Sequence, residues 1–369
     1  MKIIADMNIA HLADFFNEQS LGKPVELISM VGREINADIL AEHEPDVLLV
    51  RSVTKVNDDL LKDNHSVKFV GTATIGTDHV DIDYLAKHGI VFANASGCSK
   101  HSVAQYVIAS IAELRPDYFF QPITLGIVGV GNIGTTLAQY AVSLGWQVLG
   151  YDPLKPPSAV NNSSLEKVLS ESNVISFHVP LTYPEHSTYP THHDYLMTSK
   201  RWQQVSDTAI IINTARGEVL GRDDIVANMN AVVLDVFEHE PTIDAELLRC
   251  VSIATPHIAG YTLEGKLRGT QMVYNALCQF IHVSPVVDFH DFLPKEMPLF
   301  HALHNPLNDH ERQQLLKKMP SIYDIRADDK RLRAVANANG DIEGKDFDSL
   351  RKNYPLRREW QSYNSTSLK

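Results

Sequence analysis

The feature that most restricts the fold of this chain is GVGNIG at 129–134, set between the apolar run ITLGIV and a stretch with one apolar face. Ile133, Leu137, Tyr140, Ala141 and Leu144 make that face, at helical spacing. A strand running into Gly129, Gly131 and Gly134 and then into a helix is the opening of a βαβ unit. The first glycine allows the tight turn, the second lets the backbone approach a pyrophosphate, and the third lets the helix lie close on the strand. Unpaired N–H groups and the positive end of the dipole at the helix N-terminus suit phosphate. The next strand, WQVLGYD, ends on Asp152, 23 residues after Gly129. A carboxylate there accepts ribose hydroxyls and repels a 2′-phosphate, so the expected cofactor is NAD rather than NADP.

The same alternation fills most of the chain. Apolar runs at Ile3–Ile4, Val25–Ile28, Val47–Val50, Val67–Val70 and Ile90–Phe92 predict buried parallel strands before the fingerprint. Runs at Val174–Phe177, Ala209–Ile212, Val232–Leu234 and Ser252–Ala254 predict more after it. Helices are expected over Ser99–Leu114, stopped by Pro116, and over Leu263–Ile281. The predicted class is α/β, with two Rossmann-like or flavodoxin-like doubly wound domains. Residues 1–98 and 258–285 would form one discontinuous domain and 99–257 the nucleotide domain. Residues 286–369 would form a small C-terminal α+β domain, with a charged helix near 309–319 and a frayed end from Ser362.

At 369 residues the chain is long enough for two or three domains. Its 33 Lys+Arg against 45 Asp+Glu, net −12, exclude a general nucleic-acid footprint. Cys98, Cys250 and Cys278 have neither metal nor disulfide spacing and read as reduced thiols. No signal peptide or membrane-length apolar run is visible, so the expected compartment is the cytoplasm. His186, His192 and His193 cluster in one loop, but no acid or cysteine completes a metal site. His178, at a predicted strand end, reads as a packing or cofactor-contact residue.

Three motifs carry chemistry: Arg216 in INTARGEV, Asp235 to Pro241 in DVFEHEP, and His257 in TPHIAGYT. They offer a cation for a carboxylate, a carboxylate to hold an imidazole, and the imidazole itself. Oxidising a 2-hydroxy acid removes a hydroxyl proton as hydride leaves C2, and an imidazole titrating near neutrality suits that transfer. Glu238 is a nearby decoy for Glu240.

These motifs, with GVGNIG and the YD acid, resemble the D-isomer-specific 2-hydroxyacid dehydrogenase family over about residues 45–270. The resemblance implies a substrate domain and a nucleotide domain around a cleft, and a catalytic set of Arg216, Glu240 and His257. It implies cofactor contacts at Gly129, Gly131, Asn132, Ile133, Gly134, Asp152, Val179, Thr214, Ala215, Asp235 and Gly260, with Asp235 on the nicotinamide amide. Substrate contacts are implied at Ser52, Thr74 and Tyr261.

Narrower motifs are RSVTKVN at 51–57, FVGTATIGTDHVD at 69–81, TPHIAGYTLEGKLRGT at 255–270 and LRKNYPLRREW at 350–360. They resemble a branch of the family that oxidises a phosphorylated four-carbon hydroxy acid on the way to pyridoxal 5′-phosphate. The tail favours that branch over relatives acting on 3-phosphoglycerate. The intact catalytic set argues against a non-catalytic NAD(H) sensor. The tail, which most relatives lack, is assigned to homodimerisation. Phosphate needs cations, and the candidates are Arg51, Lys55 and Lys100, or the tail cluster Arg351, Lys352, Arg357 and Arg358. Thr54 and Thr72 are further hydroxyls at the strand ends. The segment between Arg216 and Asp235 is shorter than is usual in the family.

Overall fold

The computed structural model of the chain describes residues 1–154, 160–182, 196–228, 230–294 and 306–360. Two compact units emerge, Met1–Ser99 with Thr262–Glu296 and Lys100–Tyr261 with Met297–Lys369. The loop carrying His186, His192 and His193, and the end from Ser362, lie outside the described residues.

The first unit is a parallel sheet of β1 (Lys2–Asp6), β2 (Glu26–Met30), β3 (Val47–Val50), β4 (Phe69–Thr72) and β5 (Val91–Asn94), in the flavodoxin-like order β2-β1-β3-β4-β5. β3 and β4 are buried at every residue, which is why they read as unbroken apolar runs. The helix Leu263–Phe280 returns to this sheet and buries Leu267, Val273, Tyr274 and Leu277 among Ile3, Val47 and Phe69. Thr262 caps it by accepting the Gly265 N–H at 3.0 Å. Gly71 makes the close approach possible, since a Cβ there would sit 2.5 Å from Val273 Cγ1.

The second unit is a seven-stranded parallel sheet: β6 (Thr124–Val128), β7 (Gln147–Tyr151), β8 (Asn161–Asn162), β9 (Val174–Phe177), β10 (Ile210–Asn213), β11 (Ala231–Leu234) and β12 (Ile253–Ala254). Its order, β12-β11-β10-β9-β6-β7-β8, is the doubly wound dinucleotide-binding order extended by one strand. The strand order reverses between β6 and β9, where such sheets bind ligands. The short edge strand β8 was not expected from the sequence, having no apolar run to announce it.

The tail departs from expectation. Its described part is helical, with Asp309–Ile322, Ile325–Ala334 and Gly344–Lys352. It clusters with the second unit, where Leu315, Met319, Tyr323 and Trp360 join the core around β6. Leu332, Ile342 and Phe347 join the core on the other face. An antiparallel bridge joins Ile342 to Ile243. Among the described residues, no helix is long and apolar enough to cross a membrane.

Candidate active site

The chemistry-bearing residues of the second unit lie just past the carboxyl ends of its strands. Gly129 follows β6, Asp152 follows β7, His178 and Val179 follow β9, Thr214 to Arg216 follow β10, Asp235 follows β11, and Thr255 and His257 follow β12. One parallel sheet therefore gathers motifs that are more than a hundred residues apart in sequence.

The glycine turn has the shape a pyrophosphate requires. Gly129 has φ +93°, a conformation strained for any side chain, and a Cβ there would lie 2.8 Å from the His178 backbone. A Cβ on Gly134 would fall 2.2 Å from Gly129 O, so this glycine seats the helix Asn132–Ser143 on the strand. A Cβ on Gly131 would meet no atom within 4 Å, so this glycine faces open space at the helix N-terminus. Asp152, half-buried, accepts the N–H groups of Val130 and Leu154, each at 3.0 Å. It braces the turn, a role beside the ribose contact expected of it. These features fit a dinucleotide without adjustment.

The expected pair of His257 and Glu240 is in contact. His257 Nδ1 lies 2.8 Å from Glu240 Oε2, and Glu240 Oε1 accepts the Phe237 N–H at 2.9 Å. Burial alone would raise the Glu240 carboxyl. The charge and hydrogen bond of His257, the Phe237 N–H and the charge of Arg351 outweigh it and hold the group below its ordinary value. Glu238, the decoy, instead accepts the Arg222 N–H at 3.0 Å.

His257 has φ +55°, a left-handed backbone that costs a non-glycine residue about 1–2 kcal/mol and persists only when its surroundings enforce it. Asp235 is one enforcer. It is 1% exposed, and it accepts the Ile258 and Ala259 N–H groups at 2.8 Å and the Thr255 hydroxyl at 2.6 Å. Burial pushes its carboxyl up to about 6 against the charge of His257 and these bonds. The nicotinamide role inferred from resemblance thus stands beside a loop-holding role that sequence did not reveal.

Arg216 sits at the end of the turn after β10, half-buried, with Nη1 donating to Ala215 O at 2.8 Å. Buried Asn213 staples this turn by donating to Arg216 O and accepting the Ala215 N–H. Gly217 is required because a Cβ would come within 1.9 Å of the Phe237 carbonyl carbon. The Arg216 turn and the Glu240 loop therefore touch backbone to backbone. His178 lies between the Ser176 and Thr214 hydroxyls, and desolvation draws it down to about 3, which keeps it neutral.

The tail cations divide. Arg357 is buried and spends its guanidinium on backbone carbonyls, so the expectation that it binds phosphate is not supported. Arg351 comes from the same chain. Its Nη2 reaches the Tyr261 hydroxyl at 3.3 Å, and its Nε is buried with no hydrogen-bond partner among the described residues. Lys352 is exposed and Arg358 half-buried.

In the first unit, β3 and β4 pair with Val50 opposite Thr72, which puts Ser52 and Thr74 at equivalent positions past neighbouring strand ends. Ser52 is exposed, as is Lys55, and Arg51 is half-buried. Thr74 is bonded to Thr72 at 2.8 Å and to Gly76 O at 3.0 Å. Thr54 is buried on Gly32 O and is structural. All three cysteines are free thiols.

Residues 116–259 match the profile of the D-isomer specific 2-hydroxyacid dehydrogenase NAD binding domain. Residues 293–368 match a domain of unknown function, DUF3410. An erythronate-4-phosphate dehydrogenase of Psychrobacter sp. (strain PRwf-1) is 52% identical over 377 residues, covering 98% of this chain and 99% of its own. One from Acinetobacter baumannii (strain AYE) is 44% identical over 371 residues, covering 98% and 99%. The chain belongs to the erythronate-4-phosphate dehydrogenase family. Among solved structures, a glyoxylate reductase from Paecilomyes thermophila matches with TM-score 0.65 at 21% identity, over 78% of this chain and 97% of that one. That likeness concerns the fold alone, and it leaves about a fifth of this chain uncovered. Membership of the family makes the cofactor NAD and the chain an oxidoreductase.

Proposed function

We propose that the chain oxidises 4-phospho-D-erythronate to 2-oxo-3-hydroxy-4-phosphobutanoate, a step towards pyridoxal 5′-phosphate. The observation that carries the reading is the 2.8 Å contact of His257 with Glu240, whose loop adjoins the Arg216 turn. Bound NAD supplies the acceptor for the hydride from C2. With Nδ1 bonded to Glu240, Nε2 of His257 is the nitrogen that takes the C2 hydroxyl proton. Glu240 fixes the ring and favours its protonated form as that proton arrives. Arg216 pairs with the substrate carboxylate, a planar anion suited to a guanidinium fork.

Ser52, Thr74 and Tyr261 are proposed substrate contacts, and Gly129 to Gly134, Asp152, Val179, Thr214, Ala215, Asp235 and Gly260 line the proposed cofactor site. Arg351 is the proposed phosphate cation, supported by its buried Nε, which has no hydrogen-bond partner among the described residues, and by its Nη2 beside Tyr261. Arg51 is kept as the second candidate. The active form is proposed to be a cytoplasmic homodimer joined through the tail, which sedimentation would report as twice the chain mass.

Single-turnover NADH formation at 340 nm with 4-phospho-D-erythronate, and 3-phosphoglycerate as control, tests the reading. A signal with the first substrate is expected, falling by about 10²–10⁴-fold in His257→Ala. A signal with the control alone would overturn the substrate. An unchanged rate in His257→Ala would overturn the base.

A further inference from the structure

The loop that carries His257 is gripped from two sides by opposite buried charges. From the sheet, Asp235 takes the N–H groups of Ile258 and Ala259. From the tail, Arg357 takes the carbonyls. Its Nη1 donates to Ile258 O at 2.9 Å and Tyr261 O at 3.4 Å, and its Nη2 donates to Ala259 O and to Ser102 O. The guanidinium is itself seated at 4.2 Å over the Tyr323 ring and bonded to the Tyr354 hydroxyl at 3.3 Å, which donates to buried Asp328. The planar five-donor fork of arginine can reach several carbonyls at once, which an ammonium cannot. The tail also backs the other half of the catalytic pair: Gly344 packs against Pro241, which follows Glu240, and Ile342 bridges Ile243.

We propose that Arg357 is a positioning residue for the hydride-transfer step, and that through it the tail completes the active site of its own chain. Arg357 touches no reacting atom. It fixes the backbone of 258–261, and with it the direction from which the left-handed His257 presents its ring to Glu240. The proposal rests on His257 acting as the base, and the experiment separates the two claims.

The test compares Arg357→Met with Arg326→Met. Arg326 is another tail arginine on a backbone carbonyl, but of Ser252, outside the loop. Both variants should lose thermal stability. Only Arg357→Met should slow single-turnover hydride transfer, by about 10²-fold for a base displaced on the order of 1 Å. In it, KM for the hydroxy acid and NADH affinity should hold within about threefold while kcat falls. The pH profile of kcat/KM should shift as well, because the His257–Glu240 hydrogen bond is no longer held in its wild-type geometry. Should Arg357→Met fail to fold, Tyr354→Phe removes one anchor of the guanidinium. It should show the same kcat loss and pH shift at about threefold to tenfold. Wild-type hydride transfer and pH profile in Tyr354→Phe and in any folded Arg357→Met, with His257→Ala still inactive, would overturn the positioning role alone. An active His257→Ala would instead overturn the base on which it rests.

Discussion

Two glycines of the second unit serve different ends and make different predictions. Gly131 faces open space and has an ordinary φ of −79°, so Gly131→Ala should leave the melting temperature within about 2 °C of wild type. The methyl would occupy the approach of the pyrophosphate, so NADH titration should show affinity lowered by about tenfold or more. Gly134→Ala should instead lose about 1–3 kcal/mol of stability, because its Cβ meets Gly129 O. Carboxylates separate in the same way. Glu240 is held below its ordinary value of 4.5, so its stabilising contribution is present above that pH and is lost as pH falls through the lower folded value. The stability gap between wild type and Glu240→Gln should therefore narrow below about pH 4.5 in urea titrations. Asp235 runs opposite. With its folded value raised to about 6 from 3.8, wild type should gain on Asp235→Asn as pH falls from 6 to 3.8. Arg216, Glu240 and His257 stood out in the sequence as candidates because their motifs are short and chemically distinctive. The grip of Asp235 and Arg357 on the His257 loop was not, since it depends on which strand end lies beside which.

Among the elements, the strands were the easiest to read. Runs such as Val47–Val50 and Val174–Phe177 are buried on both faces and carry no polar residue outside Ser176. The helices Ile325–Ala334 and Gly344–Lys352 went unseen for the converse reason. IRADDKRLRA is mostly charged, yet Asp328 and Asp329 are buried. Asp329 accepts the Ala254 N–H at 2.9 Å, and Arg333 donates to the Val251 carbonyl. The element docks on the edge of the sheet through ion-supported backbone contacts, a mode that hydrophobic periodicity does not report. Arg351, near the end of Gly344–Lys352, is the element's proposed link to the substrate. Arg351→Met should raise KM for the phosphorylated acid by about tenfold or more and leave NADH affinity unchanged. An unchanged KM in steady-state assays would remove Arg351 from the phosphate site.

For the molecule as a whole, the two parallel sheets followed from the alternation of strands and helices, whereas the place of the tail did not. Its apolar residues are few and spaced widely, and they give no hint that Leu315 and Met319 belong to the core around β6 while Phe347 belongs to the opposite face. A chain ending at residue 294 should therefore expose both cores, bind a hydrophobic dye and lose cooperative melting. A dimerisation module merely appended to a finished fold would leave a folded monomer after the same cut. The discontinuity of the first unit carries its own consequence. Helix Leu263–Phe280 covers the sheet built from the first 99 residues, but about 160 residues separate the two pieces. At translation rates of about 5–20 residues per second, Ile3, Val47 and Phe69 wait roughly 10–30 s for their covering helix. The nascent chain must therefore spend that interval with one face of its first sheet uncovered, a window in which a ribosome-associated chaperone would find its substrate.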